Sequence, residues 1–181
     1  MKNIHNRFYP ALIIALCAFT YLLNFCNKIS DCALVFTCLA LTTNIISEFY
    51  GLQKAMRSMM LSIIIGFCLL WNLNYYISGR VVNGLQIASF LSLFLSTYFS
   101  ATILIRLKEV YSFPLRNFIS LITSAITDGF IMSGFLAYHF SLGKVFSIFC
   151  KELSFKCFYS SLLCLAIYFG IEATRKKYSS K

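Results

Sequence analysis

Six apolar runs take up most of this chain, and most of its formal charges stand between them. The runs cover about 9–26, 31–49, 58–77, 85–105, 117–140 and 145–171, roughly 18–25 residues each, which is the length a hydrocarbon core demands of a helix. A soluble domain carries about 25% charged residues and about 45–50% apolar ones. Here the charged share is 12% and the hydrophobic share 59%. Such a chain is expected to be an all-α membrane protein, with six transmembrane helices in a compact bundle and one integral membrane domain over 1–181. No stretch is left over for a soluble domain.

The distribution of cations sets an orientation. If the connections alternate sides, one side holds Lys2, Arg7, Lys54, Arg57, Arg106, Lys108, Arg116, Arg175, Lys176, Lys177 and Lys181, and the other Lys28, Arg80 and Lys144. By the positive-inside rule this asymmetry places both termini in the cytoplasm. The same placement accounts for the net charge of +10 without a nucleic-acid partner, because the cations sit at span ends rather than on a soluble basic surface. The first run is long and has no small-x-small cleavage site before Lys28, so it is expected to remain as a helix. Short connections at 27–30, 79–84 and 107–116 make consecutive helices antiparallel neighbours. Three spans per half give the halves opposite orientation, as in 3+3 inverted-repeat carriers, although no internal sequence similarity accompanies that layout.

Several chemistries are not encoded. The eight cysteines lie in or beside apolar runs without a CxxC pair, and read as small buried hydrophobes. Cys26 and Cys32 alone sit near one helix–loop boundary. With His5 and His139 the only histidines, no metal constellation forms, and no cofactor is expected. There is no P-loop, so ATP hydrolysis would have to come from a partner. His139 lacks a Gly-x-Ser context, and neither His-Glu-x-x-His nor paired aspartates occur; an enzyme is not expected.

The informative residues are the polar ones inside the runs. Asp128 is the one formal charge between 118 and 140, and a carboxylate at that depth in lipid marks a functional site by default. Arg116, Ser120, Ser124 and Asp128 follow one another at i+4, so they form a single helix face that is expected to look into the bundle. In the last run Glu152, Lys156 and Ser160 are also spaced by four. Counted inward from opposite faces, Asp128 and Lys156 both lie about 16 Å deep at 1.5 Å per residue and are candidates to pair. Glu152 is the local rival for Lys156, in the favoured i,i+4 orientation. Asn44 and Glu48 share a face near the end of the second run, where Glu48 is expected to be solvated or paired with Lys54 or Arg57. Gly51 is expected to end that helix in the left-handed conformation. Ser92, Ser96 and Ser100, with Ala88 and Ser89, read as a small-residue stripe for close helix packing. Trp71, Asn72, Asn74, Tyr75 and Tyr76 read as an interfacial belt.

At these residues the chain resembles the queuosine precursor transporter family, also called vitamin-uptake-transporter-like. Its members have a second helix ending in Asn/Asp…Glu-x-Tyr-Gly, here Asn44…Glu48-Phe49-Tyr50-Gly51 followed by Lys54-Ala55-Met56-Arg57. A second motif, an arginine and a serine leading to an aspartate in the fifth helix, reads here as Arg116-Asn117-Phe118-Ile119-Ser120…Asp128. A lysine early in the last helix corresponds to Lys156. The chain departs from the family at Ser100, where an aspartate is usual, at Ala125, and at Leu165 where a proline is common. The resemblance implies uptake of a 7-deazaguanine (preQ0, preQ1 or queuine) across the bacterial cytoplasmic (inner) membrane for tRNA modification. It implies a substrate site among Asn44, Glu48, Arg116, Ser120, Ser124, Asp128 and Lys156. Trp71, Tyr75, Tyr98 or Tyr138 are candidates to stack on the planar, purine-like base. The expected partners are this small molecule and the lipid bilayer, and a homodimer is compatible with the sequence. The readings that compete with a carrier are a substrate-binding subunit for a partner ATPase and a non-transporting assembly subunit whose Asp128–Lys156 pair fixes helix register.

Overall fold

The computed structural model describes residues 2–26, 28–70, 76–77, 80–81 and 84–179, with side chains for 8–26, 28–70 and 84–170. Six helices follow in order: α1 (Lys2–Leu23), α2 (Ile29–Tyr50), α3 (Leu52–Leu70), α4 (Leu85–Arg106), α5 (Phe113–His139) and α6 (Leu142–Ser179). Between α3 and α4, β1 (Tyr76–Ile77) pairs antiparallel with β2 (Arg80–Val81), placing Tyr76 opposite Val81 and Ile77 opposite Arg80. Five helices, α2 to α5 and Leu142–Gly170 of α6, are long and apolar enough to cross a membrane, while Phe8–Leu23 of α1 is a shorter apolar helix. This is a multi-pass membrane bundle.

The boundaries differ from the sequence reading at both ends of the chain, where α1 begins at Lys2 rather than at 9 and α6 runs on to Ser179 rather than to 171, and in three places between. Helix α3 begins at Leu52 rather than at 58, so Gly51 alone separates it from α2. The amphiphilic stretch Gln53–Arg57 is helical because its cations lie at the end of the bundle, where they need no apolar surroundings. The described part of α3 ends at Leu70, and Tyr76 and Ile77 belong to the short hairpin. Trp71, Asn72, Asn74 and Tyr75 lie outside the described residues. Helix α5 begins at Phe113 with Pro114 in its first turn, where a missing N–H costs nothing, so Arg116 is helical rather than in a loop. Gly51 does end α2, with φ 89° and ψ 159° and its N–H bonded to Ser47 O. The φ is positive as expected, but ψ takes it outside the left-handed helical region into backbone open essentially to glycine alone.

Helix α2 is the hub: it touches each of the other five helices. On one side it joins an apolar core of Leu16, Phe36, Leu39, Ile46, Ala55, Met59 and Leu93. On the other it meets α4, α5 and α6 around a polar interior. The two halves pack differently, since α1 touches α3 whereas α4 and α6 are not in contact among the described residues. Large apolar side chains such as Ile14, Ile64, Leu69, Ile87, Phe130 and Phe158 point outward, while Asn44, Asn117 and the serines of α4 and α5 are buried. Polar inside and apolar outside is the distribution lipid imposes.

One close approach ties α5 to α6. A Cβ on Gly129 would lie 2.7 Å from a ring carbon of Phe149, so the two helices meet there only because position 129 has no side chain. Gly129→Val is expected to lower stability by about 1–3 kcal/mol through overpacking. Gly134→Ala on the same helix meets nothing within 4 Å and is expected to be neutral or mildly stabilising. Thermal unfolding of both variants in detergent checks the contrast.

Candidate functional site

Helices α4 and α5 run antiparallel in a fixed register, and a polar ladder follows from it. At one end Ser92 Oγ donates to Asp128 Oδ1 at 2.5 Å and lies 3.2 Å from the Asp128 backbone oxygen. Two turns along, Ser100 and Ser120 hydroxyls are 2.6 Å apart and Ser120 Oγ also contacts Ser100 O at 2.8 Å. One turn further, Arg116 Nη1 reaches Leu104 O at 3.5 Å. Each step is four residues on both helices, so the flanking rungs place Ser96 opposite Ser124. The ladder from Arg116 to Asp128 spans about 18 Å of helix axis.

Helix α2 supplies a third side rail with the same spacing. The Phe36 ring lies 4.0 Å from Lys156 Nζ at the Asp128 rung. Asn44 Nδ2 donates to Asn117 Oδ1 at 2.9 Å and to Ser120 Oγ at 3.0 Å, and its Oδ1 accepts from Ser100 Oγ at 3.1 Å. Glu48 accepts two parallel bonds from Arg116, at 2.7 Å and 2.8 Å, the bidentate geometry that makes arginine–carboxylate pairs strong. Ala40, four residues from both Phe36 and Asn44, falls at the Ser96–Ser124 rung.

The expected partnership of Asp128 and Lys156 is present, and so is the rival one. Lys156 Nζ bonds Asp128 Oδ2 and also Glu152 Oε1 at 2.5 Å. Lysine is 1% exposed, and the two carboxylates and the Phe36 ring take up its charge. For Glu48 the sequence reading is corrected. Its partners are Arg116 and, at 3.5 Å, Lys108, not Lys54 or Arg57. Lys54 instead sits over the rings of Tyr9 and Tyr50, 5.9 Å from each centroid. The physical reason is the rotation of α2, which turns the Asn44–Glu48 face toward α5 and away from the start of α3.

All seven sequence candidates, Asn44, Glu48, Arg116, Ser120, Ser124, Asp128 and Lys156, therefore meet in one interior. The stacking candidates do not. Tyr138 is 89% exposed and Tyr98 42%, both directed outward, and Trp71 and Tyr75 lie outside the described residues. The aromatic ring inside is Phe36. Residues the sequence did not single out as site members are Asn117, Ser92 and Ser100. The serines of α4 do pack closely, as a small-residue stripe should, but two of them also bond across to α5. All eight cysteines are free thiols; Cys32 Sγ donates to Cys26 O at 3.1 Å, a contact between the start of α2 and the connection before it.

No family model, curated protein or solved structure matches the chain. The chemistry of the site must be read from its own atoms, and four of them stand out. Among the described residues in the ladder region, Ser47 Oγ, Arg116 Nε, Asn117 Nδ2 and Ser124 Oγ are buried without a hydrogen-bond partner. A buried polar group left unpaired costs about 1–3 kcal/mol, so these are the least satisfied polar groups of the interior. An apolar groove between α5 and α6, lined by Phe130, Gly134, Val145, Phe146 and Phe149, opens on the outer surface and has no part in this interior.

Proposed function

We propose that this protein carries a queuosine precursor, a 7-deazaguanine base, across the bacterial inner membrane. The observation that carries the reading is the continuous polar ladder through α2, α4 and α5, closed at each end by an ion pair and holding unpartnered donors between. Its residues are those on which the motif resemblance rests, and the substrate has matching groups. The guanine-like edge offers adjacent N–H donors, which a carboxylate accepts in bidentate fashion, and carbonyl and ring acceptors for Asn117 Nδ2. Glu48–Arg116 and Asp128–Lys156 act as closures that exchange internal partners for the base as the carrier changes state, since a ligand shifts a conformational equilibrium only by its differential contacts with the two states.

A second reading has a specific observation in its favour. Both carboxylates at the ladder's ends are already paired, as they would be in an assembly subunit whose ion pairs merely fix register. Asp128→Asn separates the two, because Lys156 keeps Glu152 and the asparagine oxygen still accepts from Ser92. In cells that lack precursor synthesis, the wild type is expected to restore queuosine in tRNA from supplied base, and Asp128→Asn to lose at least tenfold in rate while remaining folded. Restoration that survives both Asp128→Asn and Glu48→Gln would sink the site. No restoration with preQ0, preQ1 or queuine would sink the substrate.

A further inference from the structure

Two of the eight cysteines meet where α1 gives way to α2. Past the end of α1 the chain stays coiled as far as Cys26, whose N–H bonds Leu22 O at 3.2 Å, and Cys32 N–H closes the first turn of α2 on Lys28 O at 3.0 Å. The backbone therefore holds both residues in place. The reversal between them brings Cys32 Sγ to 3.1 Å from Cys26 O and puts the Cys26 thiol within hydrogen-bonding reach of the Cys32 thiol. A disulfide needs two side chains that face each other across a short gap, and here each thiol already lies against the other residue. The thiols of α6 are not placed in this way. Cys150, Cys157 and Cys164 follow one another seven residues apart, about 10 Å along the axis, and Cys164 Sγ donates to Pro114 O at 3.3 Å.

The surroundings of the pair are those of a membrane boundary. Both cysteines are half-buried, while Lys28 and Asp31 are exposed and Ser30 Oγ donates to Asp31 Oδ1 at 3.0 Å. The pair thus stands at the water-facing end of α2, not within its apolar length. By the distribution of cations this end lies outside the cytoplasm. Close thiols persist as such in a reducing cytoplasm and are oxidised to disulfides beyond it.

We infer that Cys26 and Cys32 are a disulfide-forming pair, oxidised on the outer side of the membrane by exchange with an exogenous disulfide. The Cys26 thiolate attacks that disulfide, giving a mixed disulfide and one released thiol; the Cys32 thiolate then displaces the second thiol and closes the bond. The two thiol protons pass to the departing sulfurs, and the exogenous disulfide takes the two electrons that the pair loses. The bond ties the connection after α1 to the first turn of α2, one turn before Phe36 and its contact with Lys156. It is independent of what the bundle carries.

The test takes the full-length protein from cells quenched in acid, denatures it, and alkylates free thiols before and after reduction. Two of the eight cysteines are expected to react only after reduction. Cleavage after Lys28, which lies between the two, is expected to leave fragments that separate only when a reductant is added. In Cys32→Ser the freed Cys26 is expected to take up a membrane-impermeant maleimide in intact cells. Reduction is expected to lower the unfolding temperature of the wild type in detergent by about 5 °C and to leave that of Cys26→Ser/Cys32→Ser unchanged. Eight reactive thiols before reduction, fragments that part at Lys28 without a reductant, Cys26 labelled only in opened cells, or a wild type whose melting ignores the reductant overturns the inference.

Discussion

Lys156→Met is expected to be the most damaging single substitution in the bundle, lowering the unfolding temperature in detergent by about 10 °C. The exchange keeps nearly the same length and volume, so packing is largely preserved, and a thioether remains beside the Phe36 ring, where sulfur–aromatic contact is favourable. What is lost is the ammonium that neutralises Asp128 and Glu152. Glu152 is 21% exposed and can rotate toward solvent or headgroups, whereas Asp128 is 9% exposed and keeps only Ser92. Removing one partner of a buried pair costs about 3–5 kcal/mol, and for a chain of this size each 1 kcal/mol is worth about 2–4 °C. The Lys156→Met/Asp128→Asn double variant is expected to recover most of the loss, since the residue left beside Ser92 is then neutral. A single variant that melts with the wild type, or a double variant no better than the single, would show that the cluster does not hold α5 to α6.

The sequence made some of this arrangement legible and hid the rest for identifiable reasons. The Arg116–Asp128 stripe was visible because i+4 spacing fixes a common face whatever that face meets, and a charged face in lipid has only the interior to turn to. Depth counting found Asp128 and Lys156 because both are measured from membrane boundaries, independently of how the helices pack. The rotation of α2 is not encoded in that way. Glu48 had cations nearer in sequence than Arg116, and only the packed bundle shows that Lys54 turns toward Tyr9 and Tyr50. Asn117 was passed over because it lies a residue off the stripe, yet the Asn44 amide on α2 reaches it. Ser92 and Ser100 looked like packing residues because a hydroxyl that bonds across an interface has the same size as one that only lets backbones approach. The α4–α5 register, which one chain's periodicity cannot supply, is what separates the two roles.

Asn44→Leu is expected to have the second-largest effect, and a different one: a moderate loss of stability with, under the proposed carrier reading, a loss of uptake of at least tenfold. Among the described residues Asn44 is the side chain whose hydrogen bonds join α2 to α4 and α5 in the neutral part of the ladder. Without it Ser100 and Ser120 still hold each other at 2.6 Å, but Asn117 loses its bond to Asn44, and its Nδ2 has no partner already. In water-soluble proteins stranding such an amide costs about 1–3 kcal/mol. In membranes, polar groups of the unfolded state also find partners within the bilayer, and single interhelical hydrogen bonds average about 0.6 kcal/mol. The loss should therefore be about 1–2 kcal/mol, well below that of Lys156→Met and small enough for the protein to be purified folded. Under the proposed carrier reading transport falls much further, because leucine replaces the amide at the Asn44–Ser100–Ser120 rung with a branched apolar side chain that can neither donate nor accept a hydrogen bond. Uptake at least tenfold below wild type in a folded protein is the result expected under that reading; Asn44→Asp, which keeps an acceptor for Ser100 but not the amide donor, should retain part of the fold stability. A leucine variant that transports at the wild-type rate would mean that the ladder's neutral rungs are scaffold, and that the base, if one is carried, passes elsewhere.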